Sequence, residues 1–151
     1  MPPLYLEDFS AGQSFDLGSR KIDRNEILEF AHEYDPQPFH TDEAAAKESI
    51  YGGLIASGWQ TGSIYMRLLY DGVIGRTAGM GAPGLDELRW LAPVRPGDVL
   101  TGRLYIDEVR PSKSKPDRGF IMTRGELANQ AGETVLSLKA PIMIRRRPDA
   151  I

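Results

Sequence analysis

The segment YDPQPFHTD, residues 34–42, brings an acid and an imidazole together in one stiff stretch of chain. Asp35 lies five residues before His40, which is one of only two histidines, and Pro36 and Pro38 lie between them. An Asp beside a His can hold a water molecule, with one group accepting its proton and the other donating one. Imidazole exchanges protons near neutral pH. The prolines restrict the backbone where a site needs fixed geometry. The segment therefore predicts an acid–base site, although Asp-Pro sequences also form ordinary turns.

A second candidate element is the glycine-rich stretch GGLIASG, residues 52–58, which precedes an apolar segment with helical spacing. The first turn of a helix offers unpaired backbone N–H groups and the positive end of the helix dipole, which suit a developing oxyanion. Glycine also lets a ligand approach the backbone closely. The stretch predicts an oxyanion donor at Gly58 or its neighbour. Taken alone, the stretch is explained more simply by Ser57 acting only as a helix cap.

Helices and strands must position these residues. Ser14 to Ile22 alternates loosely and predicts a first strand. Asp23 has the residue type of an N-cap and opens a helix that must end near Asp35, because the residue before a proline is disfavoured in the α region. Thr41 or Asp42 can cap a second, short helix over the sequence DEAAAKES.

The rest of the chain predicts one buried helix and a sheet. From Trp59 to Gly72 the apolar spacing is helical and only Arg67 and Asp71 are charged, so this helix should be wrapped by a curved sheet. Four long strands separated by turn sequences follow: Leu85 to Val94, Asp98 to Arg110, Gly119 to Ala128 and Thr134 to Arg145. Their tight links favour an antiparallel meander. We predict a single α+β domain over residues 1–151, with an antiparallel sheet of about five strands around a central helix.

The composition excludes several classes of function. Of the 151 residues, 41% are hydrophobic and 26% charged, which is typical of a soluble globular protein. The chain has no cysteine and no clustered histidines, so we expect no metal and no disulfide. A net charge of −3 argues against a nucleic-acid partner. We see neither a secretory signal nor a membrane-spanning run, and expect a cytoplasmic protein without a membrane partner.

The motifs resemble those of one family. The sequence FAHEYDPQPFHTDEAAAKES, followed by GGLIASGW, resembles the hydratase-2 motif of MaoC-like dehydratases in the hot-dog fold superfamily. That pattern is Asp, one residue, Asn or Gln, Pro, one residue and His, and here it reads Asp35, Gln37, Pro38 and His40. DELRWLAPVRPGD and SKPDRG are also typical of the family, so the resemblance covers nearly the whole chain. It implies the hot-dog fold and an (R)-specific enoyl-CoA hydratase, or a dehydratase running the reverse reaction.

The resemblance also implies roles for individual residues. In the family, the Asp and the His activate the water that adds to a trans-2-enoyl thioester, and a backbone N–H at the start of the central helix polarises the thioester carbonyl. The matching catalytic positions are Asp35, His40 and Gly58. The expected substrate contacts surround them: Gln37, Phe39, Gly53, Ile55, Ser57 and Trp59. The substrate is an acyl thioester of coenzyme A or of an acyl carrier, and no cofactor is implied.

Two other functions remain open from the sequence. One is a hot-dog thioesterase, in which the same water attacks the thioester carbonyl. The other is a non-catalytic subunit that binds acyl thioesters. Four cations flank a loop that could meet the phosphates of coenzyme A, although a solvated turn is the simpler interpretation: Arg110, Lys113, Lys115 and Arg118.

Assembly is expected to go beyond a monomer. A sheet of about five strands leaves exposed edges, which invite pairing. The segment from Val135 to Ile144 is too apolar for a solvent-exposed edge. Members of the hot-dog superfamily pair two sheets edge to edge, and the resemblance implies a homodimer, or a larger homo-oligomer, with its sites near the subunit contact.

Overall fold

An antiparallel sheet forms the frame of the molecule. The computed structural model describes residues 2–151. Its sheet has five strands in the order β1-β3-β4-β5-β2. The strands are β1 (Ser14–Lys21), β2 (Glu87–Trp90), β3 (Val99–Pro111), β4 (Arg118–Ala128) and β5 (Thr134–Arg145). The first strand and the last three begin and end within a residue of their predicted bounds, because each is flanked by local turn sequences.

The predicted meander of four consecutive strands is wrong for the first of them, because β2 does not pair with β3. Strands β3, β4 and β5 do pair in sequence, but β2 pairs with β5, with Trp90 opposite Leu136. The predicted strand from Leu85 to Val94 is reduced to the four residues Glu87–Trp90. The chain leaves the sheet after Leu91, and the carbonyl of Val94 accepts a hydrogen bond from the N–H of Ala56 at 2.8 Å instead. The segment after β2 is thereby drawn towards the start of the central helix.

β5 is not an edge of the sheet, contrary to our argument from its apolar sequence. It lies between β4 and β2. Where β5 extends past β2, its backbone is hydrogen-bonded to the loop that precedes β2. The N–H of Arg145 donates to the carbonyl of Ala78, and the N–H of Met143 donates to the carbonyl of Gly81. The two edge strands are β1 and β2. The apolar sequence of β5 is therefore explained by its interior position in the sheet, and it is not evidence for an oligomer.

In the described part of the chain, four α-helices accompany the sheet: α1 (Arg24–Tyr34), α2 (Pro38–Thr41), α3 (Glu43–Glu48) and α4 (Gly58–Gly72). Asp23 caps α1 by accepting the N–H of Glu26 at 2.8 Å, and Asp42 caps α3. The single turn α2 was not predicted. It begins at Pro38, whose fixed φ suits the first helical position. Within residues 2–151, no helix is both long and apolar enough to cross a membrane.

Helix α4 is the central helix around which the sheet curves. Its inward face is buried in the main core and consists of Ile64, Tyr65, Leu68 and Leu69. The ring of Tyr65 occupies the space above Gly125 of β4, where any Cβ would overlap its hydroxyl. Burial of each such side chain contributes about 1.5–3 kcal/mol. This packing fixes α4 against the sheet and so fixes the position of its first turn. The predicted hot-dog architecture is confirmed.

Candidate active site

His40 is turned inward by α2 and is only 4% exposed. Its Nδ1 lies 2.8 Å from the carbonyl oxygen of Ile55, which is 15 residues further along the chain. Because a carbonyl oxygen can only accept a hydrogen bond, Nδ1 carries the proton and donates it. In the neutral ring, Nε2 then keeps its lone pair. The ring of Phe39 packs edge-on against the imidazole at a centroid distance of 4.6 Å. His40 therefore presents a proton acceptor in one fixed orientation.

Asp35 follows the last residue of α1, and its carboxylate faces His40. The Oδ2 atom lies 3.3 Å from His40 Nε2. The side chain of Gln37 donates to Oδ1 at 2.8 Å, and the hydroxyl of Ser57 donates to Oδ2 at 2.7 Å. One donor belongs to the same segment and the other to the start of α4, and together they hold the carboxylate in place. The predicted pair Asp35–His40 is therefore brought together.

The same donors determine the charge of Asp35. Partial burial raises the pKa of its carboxyl, but the hydrogen bonds from Gln37 and Ser57 and the adjacent His40 imidazole outweigh burial, so the pKa lies below its usual value. Asp35 is consequently an anion at neutral pH. A fixed anion beside Nε2 stabilises the imidazolium that forms when His40 accepts a proton.

The first turn of α4 leaves one backbone donor available. The N–H groups of Gln60 and Thr61 donate to the carbonyl of Ser57, at 3.0 and 3.1 Å. The N–H of Trp59 donates to the Ser57 hydroxyl at 3.3 Å. The N–H of Gly58 has no acceptor among residues 2–151. Since it also lies at the positive end of the helix dipole, it is suited to bind an oxyanion.

Trp90 packs over Gly58 from the edge strand β2. The indole Nε1 donates to the carbonyl of Gly58 at 2.8 Å. A Cβ at Gly58 would lie 2.5 Å from the indole ring, so only glycine fits there without displacing the ring. Trp59 packs edge-to-face on the same indole at 5.2 Å. The sequence could not reveal this contact, because it depends on the placement of β2 beyond β5.

Asp35, His40 and Gly58 open into one cavity of about 570 Å³. Its wall contains four of the six expected substrate contacts, Gln37, Phe39, Ile55 and Trp59. It also contains Tyr51, an aromatic residue that the sequence offered as a possible lining residue, and it contains Thr61 and the segment 90–94, which the sequence did not indicate. The cavity is large enough for a small ligand beside the acid–imidazole pair.

The other two expected contacts lie elsewhere. Ser57 is fully buried and reaches Asp35, not the cavity. Gly53 lies outside the cavity wall, beside the side chain of Arg95. Neither residue is positioned to touch a substrate that is bound in the cavity of the same chain. The placement of Ser57 gives it a different role, in holding the carboxylate.

The remaining candidates lie away from this cavity. His32 is exposed on α1. Arg110 pairs with Glu108, and Arg118 pairs with Asp117. Their loop connects β3 to β4 at the end of the sheet opposite Trp90, about 30 Å away along the extended strands. Within one chain, this loop does not reach the cavity.

The five-stranded sheet around a central helix is a hot-dog fold, and an acid–imidazole pair lies beside the first turn of that helix. Residues 8–119 match the MaoC like domain, and the chain belongs to this family. The crystal structure of a MaoC-like dehydratase from Rhodospirillum rubrum is similar, with 43% identity, coverage of 96% of this chain and 99% of that one, and a TM-score of 0.89.

Two curated relatives also span nearly the full chain. The uncharacterized protein YdeM of Bacillus subtilis is 30% identical over 142 residues, covering 93% of this chain and 99% of YdeM. An (R)-specific enoyl-CoA hydratase from Rhodospirillum rubrum is 29% identical over 145 residues, covering 95% of this chain and 93% of the hydratase. The predicted family is therefore confirmed.

Proposed function

We propose that this chain is an (R)-specific enoyl-CoA hydratase, or a dehydratase running the reverse reaction on 3-hydroxyacyl thioesters. One observation carries the proposal. The Nε2 atom of His40 lies 3.3 Å from an anchored carboxylate, in a cavity that also exposes the first turn of α4. The pair can activate a water, and the Gly58 N–H can bind a carbonyl oxygen. The similarity to an (R)-specific enoyl-CoA hydratase supports the same reaction class.

The reaction follows from the positions of these groups. A water held by Asp35 and His40 loses a proton to Nε2 as its oxygen bonds to C3 of the enoyl thioester. The π electrons of the C2–C3 bond move towards the thioester carbonyl, whose oxygen becomes an enolate and accepts a hydrogen bond from the Gly58 N–H. Asp35 stabilises the imidazolium, which then gives its proton to C2. Water is added across the double bond, and no cofactor is consumed.

A single assay separates this function from its alternatives. With crotonyl-CoA, a hydratase removes the enoyl absorbance, releases no thiol and yields (R)-3-hydroxybutyryl-CoA. Release of free thiol would identify a thioesterase instead. A protein that binds the thioester and changes neither signal would be a non-catalytic subunit. Substrates of increasing acyl length, on coenzyme A and on a carrier protein, then define the substrate class.

The Ser57 hydroxyl is expected to matter more than a helix cap would. From the sequence alone, Ser57→Ala costs at most a cap of about 1 kcal/mol and should be mild. Because Ser57 donates to Asp35 at 2.7 Å, we expect kcat/KM for hydration to fall about tenfold. Ser57→Thr keeps a hydroxyl and should retain more activity.

The pH profile distinguishes these roles for Ser57. The hydroxyl bond stabilises the ionised carboxylate and lowers the pKa of Asp35, so its removal raises that pKa. Activity that needs the carboxylate is then lost at a higher pH on acidification. We expect the acid limb of kcat/KM in Ser57→Ala to move to higher pH. If the acid limb of Ser57→Ala does not move and only its unfolding temperature falls, Ser57 acts only as a helix cap.

We also propose that the protein forms a homodimer or a larger homo-oligomer. A second cavity, of about 780 Å³, is lined by α4, the loop before β2 and the sheet, and it shares Trp59 with the cavity described above. Six large apolar side chains line one or the other cavity, and each is 45–60% exposed: Trp59, Met66, Tyr70, Leu85, Trp90 and Leu91. Monomeric proteins rarely expose a large continuous apolar patch. A closed, symmetric dimer is the commonest arrangement that covers such a surface.

Light scattering tests the assembly. At micromolar concentration the mass should be at least twice 16.7 kDa. Met66→Glu, which places a charge within this patch, should shift the protein towards a monomer. Tyr34→Glu changes another exposed side chain, on α1 and outside both cavities, and should not do so. A fully active monomer would contradict both the dimer and a site near the subunit contact.

A further inference from the structure

The cavity lacks a cationic side chain in its own wall. Among residues 2–151, its lining includes Asp35 and His40 but no lysine or arginine. Substrates of the proposed reaction carry negative charge at a distance from the reacting carbonyl, because the pantetheine arm ends in a phosphate. Such a group needs a cation near the mouth of the cavity rather than beside the carboxylate. An arginine near the mouth of the cavity is therefore a candidate for binding this phosphate.

Arg95 differs from most arginines of the described chain in having no carboxylate partner. Arg20, Arg24, Arg67 and others form ion pairs, but Arg95 forms none within residues 2–151. The nearest acid along the chain is Asp98. One of its oxygens accepts the backbone N–H of Arg95 at 2.8 Å, and the other accepts the side chain of Gln130 at 3.0 Å. The Asp98 carboxylate is thus engaged, and the guanidinium remains available.

The guanidinium of Arg95 is held at the rim of the cavity. Arg95 follows Val94, the last residue of the wall segment, and its Nη2 donates to the carbonyl of Tyr51 at 2.6 Å. Its Nη1 lies beside Gly53, 3.5 Å from the position of a Cβ there. Tyr51 lines the cavity and packs on the ring of Phe39 at 5.3 Å. Contacts therefore connect the guanidinium to His40 through Tyr51 and Phe39, whose ring packs on the imidazole.

This placement suits the recognition of a phosphate at the end of a long arm. With the thioester carbonyl at Gly58, the pantetheine arm must leave the cavity past its rim. A guanidinium that is already oriented by one hydrogen bond keeps other N–H donors for a phosphate, which it can bind in bidentate fashion. The cations of the β3–β4 loop lie at the opposite end of the sheet. Arg89, beside the cavity residue Trp90, is paired with Glu87, which leaves Arg95, within the described residues, as an unpaired cation at the rim that the arm passes.

We propose that Arg95 is the phosphate anchor of this site and binds the phosphate at the end of the pantetheine arm. This phosphate is common to coenzyme A and to acyl-carrier proteins. The inference rests on the proposed function for the identity of the ligand. Its test therefore includes a binding measurement that does not depend on turnover.

The test compares ligands that differ in the phosphate. Arg95→Gln removes the charge and keeps an N–H donor for the Tyr51 carbonyl. By calorimetry, we expect this variant to bind coenzyme A and 4′-phosphopantetheine about tenfold more weakly than the parent. The KM for crotonyl-CoA should rise by a similar factor with little change in kcat. With crotonyl-pantetheine, which lacks the phosphate, kcat/KM should be unchanged. Lys113→Gln, an equivalent change in the β3–β4 loop, should leave all these values at the parent level.

Each other outcome has a defined meaning. Equal losses with crotonyl-CoA and crotonyl-pantetheine would mean that Arg95 only supports the Tyr51 loop, and would overturn the proposal. Three other results would also overturn the proposal. Arg95→Gln could bind coenzyme A as tightly as the parent, or it could bind coenzyme A more weakly but 4′-phosphopantetheine equally well. The third is a loss of phosphate-dependent binding in Lys113→Gln and not in Arg95→Gln. If the parent binds both ligands through Arg95 but hydrates no enoyl thioester, the anchor stands and the hydratase function fails.

Discussion

Replacement of Asp35 by Asn, or of His40 by Ala, is expected to reduce the hydration of crotonyl-CoA by about a hundredfold or more. Asp35→Asn keeps the shape of the side chain but removes the anion that stabilises the imidazolium. His40→Ala removes Nε2, which takes the proton from water in the proposed mechanism. Both changes act on the 3.3 Å contact between these residues. The measurement is kcat/KM for the purified variants, by loss of enoyl absorbance.

The control is the other histidine of the chain. His32 is exposed on α1, so His32→Ala should leave activity at the parent level. His40→Ala also removes the donor to the buried carbonyl of Ile55, which costs about 1–3 kcal/mol of stability. Circular dichroism and the unfolding temperature must therefore show that each variant is folded at the assay temperature. If folded Asp35→Asn and His40→Ala both retain near-parent activity, the proposed site is wrong.

Local signals in the sequence were sufficient for much of the fold. Asp23 and Asp42 cap α1 and α3 as their residue types suggest, because a capping bond joins residues two or three positions apart. The apolar spacing from Trp59 to Gly72 predicted the buried helix α4 within one residue. Turn sequences gave the bounds of β3, β4 and β5 because they interrupt alternating patterns directly.

Apart from the single turn α2, the missed features depend on contacts between distant parts of the chain. Nothing in the residues of β2 indicates that it pairs with β5 on the far side of the sheet, so the indole of Trp90 over Gly58 could not be predicted. The same is true of the bond from Ser57 to Asp35, which are 22 residues apart. The sequence could nominate Asp35 and His40 by type, but their hydrogen-bond partners needed the fold.

The largest remaining effect is expected at the Gly58 N–H. Gly58→Val should be severe, but it does not isolate the oxyanion donor, because any Cβ at this position meets Trp90 at 2.5 Å. Trp90→Ala removes that obstacle and provides the background for a matched pair. In this background, Gly58→Ala keeps the N–H and Gly58→Pro removes it. Proline is well tolerated at the first position of a helix. Ser57 already has the extended backbone, with ψ 139°, that a residue before proline requires.

We expect Gly58→Ala/Trp90→Ala to hydrate crotonyl-CoA at a rate close to that of Trp90→Ala alone. Gly58→Pro/Trp90→Ala should lose at least about a further hundredfold in kcat, as removal of an oxyanion donor does in other enzymes. Similar unfolding temperatures for the two double variants would exclude a difference in folding. If the Pro and Ala variants have the same kcat, the enolate oxygen is bound elsewhere. A greater loss in Ser57→Ala than in the Pro variant would identify the Ser57 hydroxyl as the more important group.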